Sequence, residues 1–466
     1  MVAQPRSFRG GLAAADVVGP VRFGAGEGVL SVVAGTVRAV SIRQRLYPTP
    51  GQKDVLASHC SHARFVWNLA LEQANFYRKW QASTPSNAAR SRQLTEARAE
   101  FAWLANGSSA VQQGALRDFD QAMTNWSDGL KKRKAGLPGK AHGHPTWRRA
   151  GAYEGFVVRD LTVHKLGRKW ATVHVPKAGH VRFRLTRPWA EVQEATSARV
   201  TLDGAGHWQV SLTCLPTAFV RTTTGKSAGV DRGVANSIAT SQGTMGHAPT
   251  LTDGEQARFL ALARRMSRQR KGSNRRNRTR IALAKLHVTL GDRRTDWSQK
   301  TANQLVQDFD LIAFEDLRTA NMVRKPKPKP DPDNPGVFLP NGARAKAGLN
   351  KAILGSCWGQ VAAMVTYKAA VTPENSRTTV VRVNPHNTSR RCHACGHIAP
   401  GNRQSQAVFQ CVECGHQAHA DTNAARNILR LGLQQVLPTE VCGRSDRERT
   451  HQPRTKPRAT STPKAA

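Results

Sequence analysis

The stretch that decides the fold reads Thr388-Ser389-Arg390-Arg391-Cys392-His393-Ala394-Cys395; after the fifteen residues 396–410 come Cys411-Val412-Glu413-Cys414, and then Asp421-Thr422-Asn423-Ala424-Ala425-Arg426-Asn427-Ile428-Leu429. Each Cys-x-x-Cys pair closes a tight turn around half of a tetrahedron, and two pairs at this separation have the register of a four-thiolate zinc knuckle. Two redox pairs or buried thiols are the other reading of four cysteines. The shared register favours Cys392, Cys395, Cys411 and Cys414 as the ligands of one structural Zn²⁺. Gly396 and Gly415, each just after a second cysteine, suit the positive φ that such turns need. Asp421 opens a helical pattern carried by Ala424, Ala425, Ile428 and Leu429, and a helix N-terminus favours an ionised carboxylate. Alone, such an aspartate is more often a cap than a metal ligand.

Two further stretches change that balance. Ser227-Ala228-Gly229-Val230-Asp231-Arg232-Gly233-Val234-Ala235-Asn236-Ser237-Ile238-Ala239-Thr240 is an apolar run with one carboxylate, and Leu311-Ile312-Ala313-Phe314-Glu315-Asp316-Leu317 is a short buried-type strand ending in an acid. A carboxylate inside an apolar strand is costly unless it is paired or binds metal. Asp231, Glu315 and Asp421 therefore point to one shared site for two divalent cations. Carboxylate oxygens around two ions about 3.5–4 Å apart are what phosphodiester hydrolysis requires, one ion activating water and the other stabilising the departing oxygen.

The ordered set G-V-D-R-G-V, F-E-D-L, C-x-x-C, C-x-x-C and D-x-N-A-A-R-N-I resembles the RuvC nuclease domain of TnpB, the insertion-sequence RNA-guided nuclease, and of the compact type V CRISPR effectors related to it. Arg268 to Leu290, Arg294-Thr295-Asp296-Trp297, and Cys357-Trp358 through Tyr367-Lys368 fit the same family, so the resemblance spans roughly residues 40 to 435. It implies an RNase H-like fold, Mg²⁺ at Asp231, Glu315 and Asp421 as catalytic residues, and a guide RNA partner. The chain departs from the family pattern at Arg232, where an apolar residue is usual, at Gln299, where histidine is common, and at His419-Ala420, where an acid often stands first. None of these removes a core carboxylate.

Working outward, the chain has 466 residues, 39% of them hydrophobic, and a formal net charge of +39. That content can bury the cores of about two to four domains. So large a positive charge makes a compact chain repel itself unless a polyanion neutralises it, which makes nucleic acid the expected partner. No apolar run approaches the ~18 residues of a membrane span, and no signal-peptide core stands at the start, so no membrane partner is expected. Four of the eight cysteines lie in the knuckle and the others are scattered, as suits a metal site in a reducing cytoplasm, near the nucleoid.

The expected fold class is a multidomain α+β and α/β chain: a β-barrel wedge domain with a helical recognition insert, then an RNase H-like RuvC nuclease domain with an inserted zinc knuckle. Residues 1–36 read as a flexible extension. The first wedge strand falls in 37–48, with Val40, Ile42 and Leu46 on one side and Ser41, Arg43 and Arg45 on the other. Thr49-Pro50-Gly51-Gln52 is a capping box opening a helix through Leu56, Cys60, Ala63, Trp67, Ala70, Ala74 and Tyr77. A further helical pattern runs from about Gln93 to Leu130, so that 49–149 forms the helical lobe; seven Lys or Arg and no acid lie between Lys131 and Arg149, with His142, His144 and Trp147 able to stack on bases. Hairpins at Trp170–Val175 with Val181–Leu185, and at Val200–Leu202 with Trp208–Leu212, complete the wedge barrel in 150–225.

The nuclease domain is expected over 226–388 and 418–440, split by the knuckle at 389–417, with a disordered basic tail at 441–466. Arg264 to Arg280 carries nine Lys or Arg and no acid and reads as a basic helix tracking a phosphate backbone. Lys325 to Pro335 reads as an extended loop after Glu315. The function implied is an RNA-guided DNA endonuclease: guide pairing selects double-stranded target DNA beside a short flanking motif, two Mg²⁺ serve the cut, and one or two copies of the chain share one RNA. The alternatives are an RNA-guided DNA-binding repressor that cuts little, and an unguided RNase H-like nuclease such as a junction resolvase, which would be far smaller and lack the helical insert.

Overall fold

The computed structural model describes residues 40–79, 84–137, 142–151, 154–334 and 336–436; the expected N-terminal extension 1–36 and basic tail 441–466 lie outside them. The alternation around Arg43 folds as β1 (Val40–Tyr47), in which Gln44 and Leu46 point inward and Arg43 and Arg45 outward. The capping box forms as expected: the Thr49 N–H donates to the Gln52 amide oxygen at 3.0 Å, the Gln52 N–H donates to the Thr49 hydroxyl at 3.3 Å, and α1 (Pro50–Lys79) starts on proline.

The helical pattern after it breaks into α2 (Asn87–Glu100), α3 (Ala102–Ala105) and α4 (Ser109–Lys134). Two serine caps restart the chain, with Ser86 accepting from the Ala89 N–H and Ser108 from the Val111 N–H. Helices α1 and α4 then bury Leu56, Trp67 and Phe119 against Phe156 and Val158 of the sheet, so insert and sheet share one core.

That sheet contains β1 with β2 (Gly155–Arg159), β3 (Val163–Lys165), β4 (Trp170–Val175), β5 (Gly179–Arg184), β6 (Ser197–Leu202) and β7 (Trp208–Cys214); the short α5 (Trp189–Val192) links β5 to β6. Both expected hairpins are present, with Val173 opposite Val181 and Leu202 opposite Trp208. Closure into a barrel is not: the order is β2-β6-β7-β1-β5-β4-β3, with no ladder between the end strands β2 and β3. The first six residues of β1 pair with β7 and its last two with β5, so β1 joins the two halves of the sheet.

A second sheet carries β8 (Ser227–Asp231), β9 (Ile238–Thr240), β10 (Met245–Gly246), β11 (Leu311–Glu315) and β14 (Thr379–Val383), in the order β10-β9-β8-β11-β14. Strands β8, β11 and β14 are parallel, while β9 and β10 run antiparallel. Between β10 and β11 the expected basic helix is two helices, α6 (Asp253–Arg268) and α7 (Asn274–Asp308), turned at Gly272 with φ +83°. The short turn between them sets α6 and α7 antiparallel and gathers the nine cations at the tip of a hairpin, across which Arg293 of α7 clasps Glu255 of α6 at 2.7 and 2.9 Å.

The Pro-alternating segment after α8 (Thr319–Met322) forms a small ribbon of β12 (Lys329–Pro330) and β13 (Phe338–Leu339), ahead of α9 (Ala343–Gly355) and α10 (Trp358–Ala370). The ribbon β15 (Val408–Gln410) with β16 (Gln417–His419) leads into α11 (Ala420–Val436).

Helix α11 lies directly on β8 and β11 because two glycines let it. A Cβ on Gly229 would overlap the backbone of Ala425 and Leu429, and one on Gly432 would overlap Ala313. We predict that Gly229→Ala costs about 1–3 kcal/mol by overpacking, whereas Gly254→Ala, whose added carbon meets nothing within 4 Å, is neutral or stabilising. Thermal unfolding of the two variants checks this, and equal midpoints would refute the close contact.

Candidate functional site

Parallel pairing fixes the first two acids. Phe314 pairs with Val230, so Asp231 and Glu315, one residue further on, are the final residues of neighbouring strands and stand at the same carboxyl edge. Open α/β sheets place their ligand crevices at that edge. The third acid arrives on α11, whose first turn holds Asp421 at the same end. All three are buried, at 8, 5 and 2% exposure, and they line one cleft of about 250 Å³ with Trp358, Thr388 and Arg403.

Their partners differ. The Thr388 hydroxyl donates to Glu315 Oε1 at 2.5 Å, while Asn236 Nδ2 donates to Asp421 Oδ2 at 3.0 Å and Arg403 pairs with Asp421 Oδ1 at 3.2 Å. Burial, and then the charges of Glu315 and Asp421, push the Asp231 carboxyl up to about 7. Burial also raises Glu315, opposed by the Thr388 hydrogen bond and the Arg232 charge. Among the described residues, only the cysteine quartet holds all its ligand atoms within 4.8 Å of one another. A donor set of three buried carboxylates with this wider spread fits two ions better than one.

The four cysteines could hold a metal ion, as their spacing predicts. Sγ distances of 3.8 Å (Cys392 to Cys414) and 3.6 Å (Cys395 to Cys411) match the ~3.8 Å edge of a tetrahedron with Zn–S bonds of about 2.3 Å. The two turns repeat each other: the Gly396 and Gly415 N–H groups donate to the carbonyls of Cys392 and Cys411, both glycines at positive φ. Backbone N–H groups of Cys414 and then Glu413 hold the Cys411 thiol down at about 6, the direction a thiolate ligand needs.

Three asparagines tie this knuckle to the acid cleft. Asn402, fully buried, donates to the Arg390 and His397 carbonyls and accepts from the Val412 N–H, joining the two turns. Asn423 and Asn427, on the helix that carries Asp421, both donate to the Arg391 carbonyl. The residue after Asn402 is Arg403, so the segment between the cysteine pairs reaches the third acid directly.

Three family descriptions match the chain: "Cas12f1-like, TNB domain" over residues 358–428, "Probable transposase" over 215–325 and "Helix-turn-helix domain" over 34–80. The chain is 28% identical over 400 residues to "Putative RNA-guided DNA endonuclease InsQ" of Escherichia coli strain K12, covering 85% of this chain and 92% of that one. It is 28% identical over 427 residues to "Putative RNA-guided DNA endonuclease" of Streptomyces pristinaespiralis, covering 89% and 94%. A 77-residue stretch is 40% identical to "CRISPR-associated endodeoxyribonuclease Cas12f1" of Sulfoacidibacillus thermotolerans, covering 16% and 17%.

The chain resembles the TnpB-like family.

Within this TnpB-like chain, the transposase match holds Asp231 and Glu315, and the TNB match holds the four cysteines and Asp421. The described part of the helix-turn-helix match is one strand and one 30-residue helix, not two helices. Of the departures from the family pattern, His419 caps α11, its Nδ1 accepting from the Asp421 N–H at 3.2 Å, while Gln299 lies on α7 away from the cleft lining. Arg403 and Asn236 were not identified as site residues from the sequence; each is one polar residue in an irregular segment, and only folding brings it to Asp421.

We predict that Cys411→Ser lowers bound zinc per chain and the unfolding temperature together; elemental analysis showing full zinc occupancy would refute a shared site. For the metal-free chain, the raised Asp231 carboxyl means the folded state holds a proton that the unfolded state releases from about pH 4 upward. Stability from this group is therefore fully present near pH 4 and lost as pH rises through about 7. Asp231→Asn should stabilise the metal-free protein at pH 8 by on the order of 1–4 kcal/mol, with the gap to the native chain closing at pH 5, as read by denaturant unfolding at both values.

Proposed function

We propose that this chain is an RNA-guided DNA endonuclease in which Asp231, Glu315 and Asp421 are the catalytic carboxylates. The observation that carries the reading is the convergence of three buried acids, from two adjacent parallel strand ends and one helix N-terminus, into a single cleft. Two relatives with near full-length coverage bear the name RNA-guided DNA endonuclease, which supplies the substrate class and the guide.

In this reading Asp231, Glu315 and Asp421 would hold two Mg²⁺, whose chemistry when bound would be to activate water and stabilise the leaving oxygen of a phosphodiester. The chain's own residues provide the rest. Thr388 orients the Glu315 carboxylate, and Asn236 orients that of Asp421. Arg403, a quarter exposed, offers its guanidinium at the mouth of the cleft to a phosphate oxygen of the strand. The sheet of β1–β7 serves as the wedge domain that grips the guide and α1–α4 as the recognition lobe, with Trp147 left 52% exposed on the segment pinned against α1. The α6–α7 hairpin tracks the nucleic-acid backbone with its nine cations, and the knuckle helps load the strand.

The Arg403–Asp421 ion pair favours a second reading, an RNA-guided DNA-binding protein that cuts little because a side-chain cation already sits on the third acid. Plasmid cleavage with co-expressed RNA separates the two. We predict that Asp231→Ala abolishes Mg²⁺-dependent nicking and linearisation while the copurifying RNA stays unchanged. Retained cutting would overturn the catalytic assignment, and RNA-dependent plasmid binding without nicks by the native chain would favour the second reading.

A further inference from the structure

The ladder between β8 and β11 ends at Val230 and Phe314, one residue short of the two acids. No backbone pairing between those strands sets the spacing of Asp231 and Glu315. Arg232 lies at this gap. It is 6% exposed, its guanidinium sits over the Phe314 ring at 5.8 Å, and its Nη2 donates to the backbone carbonyl of Glu315. The side chain supplies a cross-strand bond where the sheet stops supplying them. Its residue lies between Asp231 and Gly233, whose carbonyl accepts from Trp358 Nε1 at 2.8 Å, so the loop leaving β8 is held from both sides. Among the described residues Arg232 forms no ion pair within 4 Å, so its guanidinium clasps the Glu315 backbone without sitting on the carboxylate oxygens of either acid.

Fold stability does not account for this arginine. A buried guanidinium is costly unless its donors are satisfied, and the Arg232 Nε has no partner. An apolar side chain would fill the space against Phe314 at lower cost. A residue that burdens the fold while clasping the end of a strand that carries a cleft acid is explained by the acid's position.

We propose that Arg232 is a positioning residue that sets the separation of Asp231 and Glu315, and through it the affinity of the cleft for divalent cations. The inference rests on the reading of that cleft as a metal site. The test is Mn²⁺ binding to the full-length, zinc-loaded chain, followed by the electron paramagnetic resonance signal of free Mn²⁺, alongside thermal unfolding without Mn²⁺. Arg232→Leu should weaken Mn²⁺ binding at least tenfold while leaving the unfolding temperature equal or higher. Arg232→Lys, which keeps a donor for the Glu315 carbonyl, should restore part of the affinity.

Native Mn²⁺ affinity in Arg232→Leu would overturn the positioning role, and a lowered unfolding temperature that Arg232→Lys restores without restoring affinity would assign Arg232 to the fold alone. Asp231→Asn is the control. If it leaves Mn²⁺ binding intact, the reading of the cleft fails; if it removes binding while Arg232→Leu does not, only the present inference fails.

Discussion

Three carboxylates buried within one cleft carry a charge that the fold alone cannot tolerate, and the elements of the five-stranded sheet and its helices are arranged around that constraint. Ionised acids at 8, 5 and 2% exposure are unfavourable in a low-dielectric interior, as the raised Asp231 carboxyl records. Cations, hydrogen-bond donors or metal ions must answer them. Arg403 and Asn236 answer Asp421, and Thr388 answers Glu315, but among the described residues Asp231 has no side-chain donor of comparable strength. That imbalance supports the proposal that an oxygen-seeking divalent cation is held there.

The same constraint explains the packing beneath the cleft. Asp421 reaches the strand ends because α11 lies against the sheet with no side chain between its backbone and Gly229. That helix is held from the other side by the knuckle, through Asn423 and Asn427 on the Arg391 carbonyl. The cysteine cluster and the acid cleft are therefore one mechanical unit: a metal that orders the two cysteine turns also fixes the helix that presents the third acid and the segment that presents Arg403. This coupling gives the knuckle a structural role at the cleft in addition to any contact with nucleic acid.

The exterior has the opposite sign. A net charge of +39 is spread over outward-facing positions such as Arg43 and Arg45 of β1 and is concentrated at the α6–α7 tip. Helix α6 buries none of its residues, so little apolar packing holds it, and a polyanion along that hairpin would relieve the repulsion among its cations.

Much of this was legible in the sequence, for physical reasons that differ by element. The knuckle was readable because thiolate geometry fixes the spacing of two Cys-x-x-Cys pairs, and the acids were readable because a lone carboxylate in an apolar strand is too costly to be incidental. The Thr49 capping box and both hairpins depend only on residues a few positions apart, and they formed where the pattern placed them.

What the sequence could not decide depended on distant contacts. The basic stretch around Gly272 folds as a hairpin across which Arg293 clasps Glu255 from 38 positions away, and the seven-stranded sheet is joined through β1, which divides its pairing between β5 and β7. Composition and spacing determined which groups needed partners; the tertiary structure decided which partners they received, because Arg403 meets Asp421 and Arg232 meets the Glu315 carbonyl only after the strands, the knuckle and α11 have packed together.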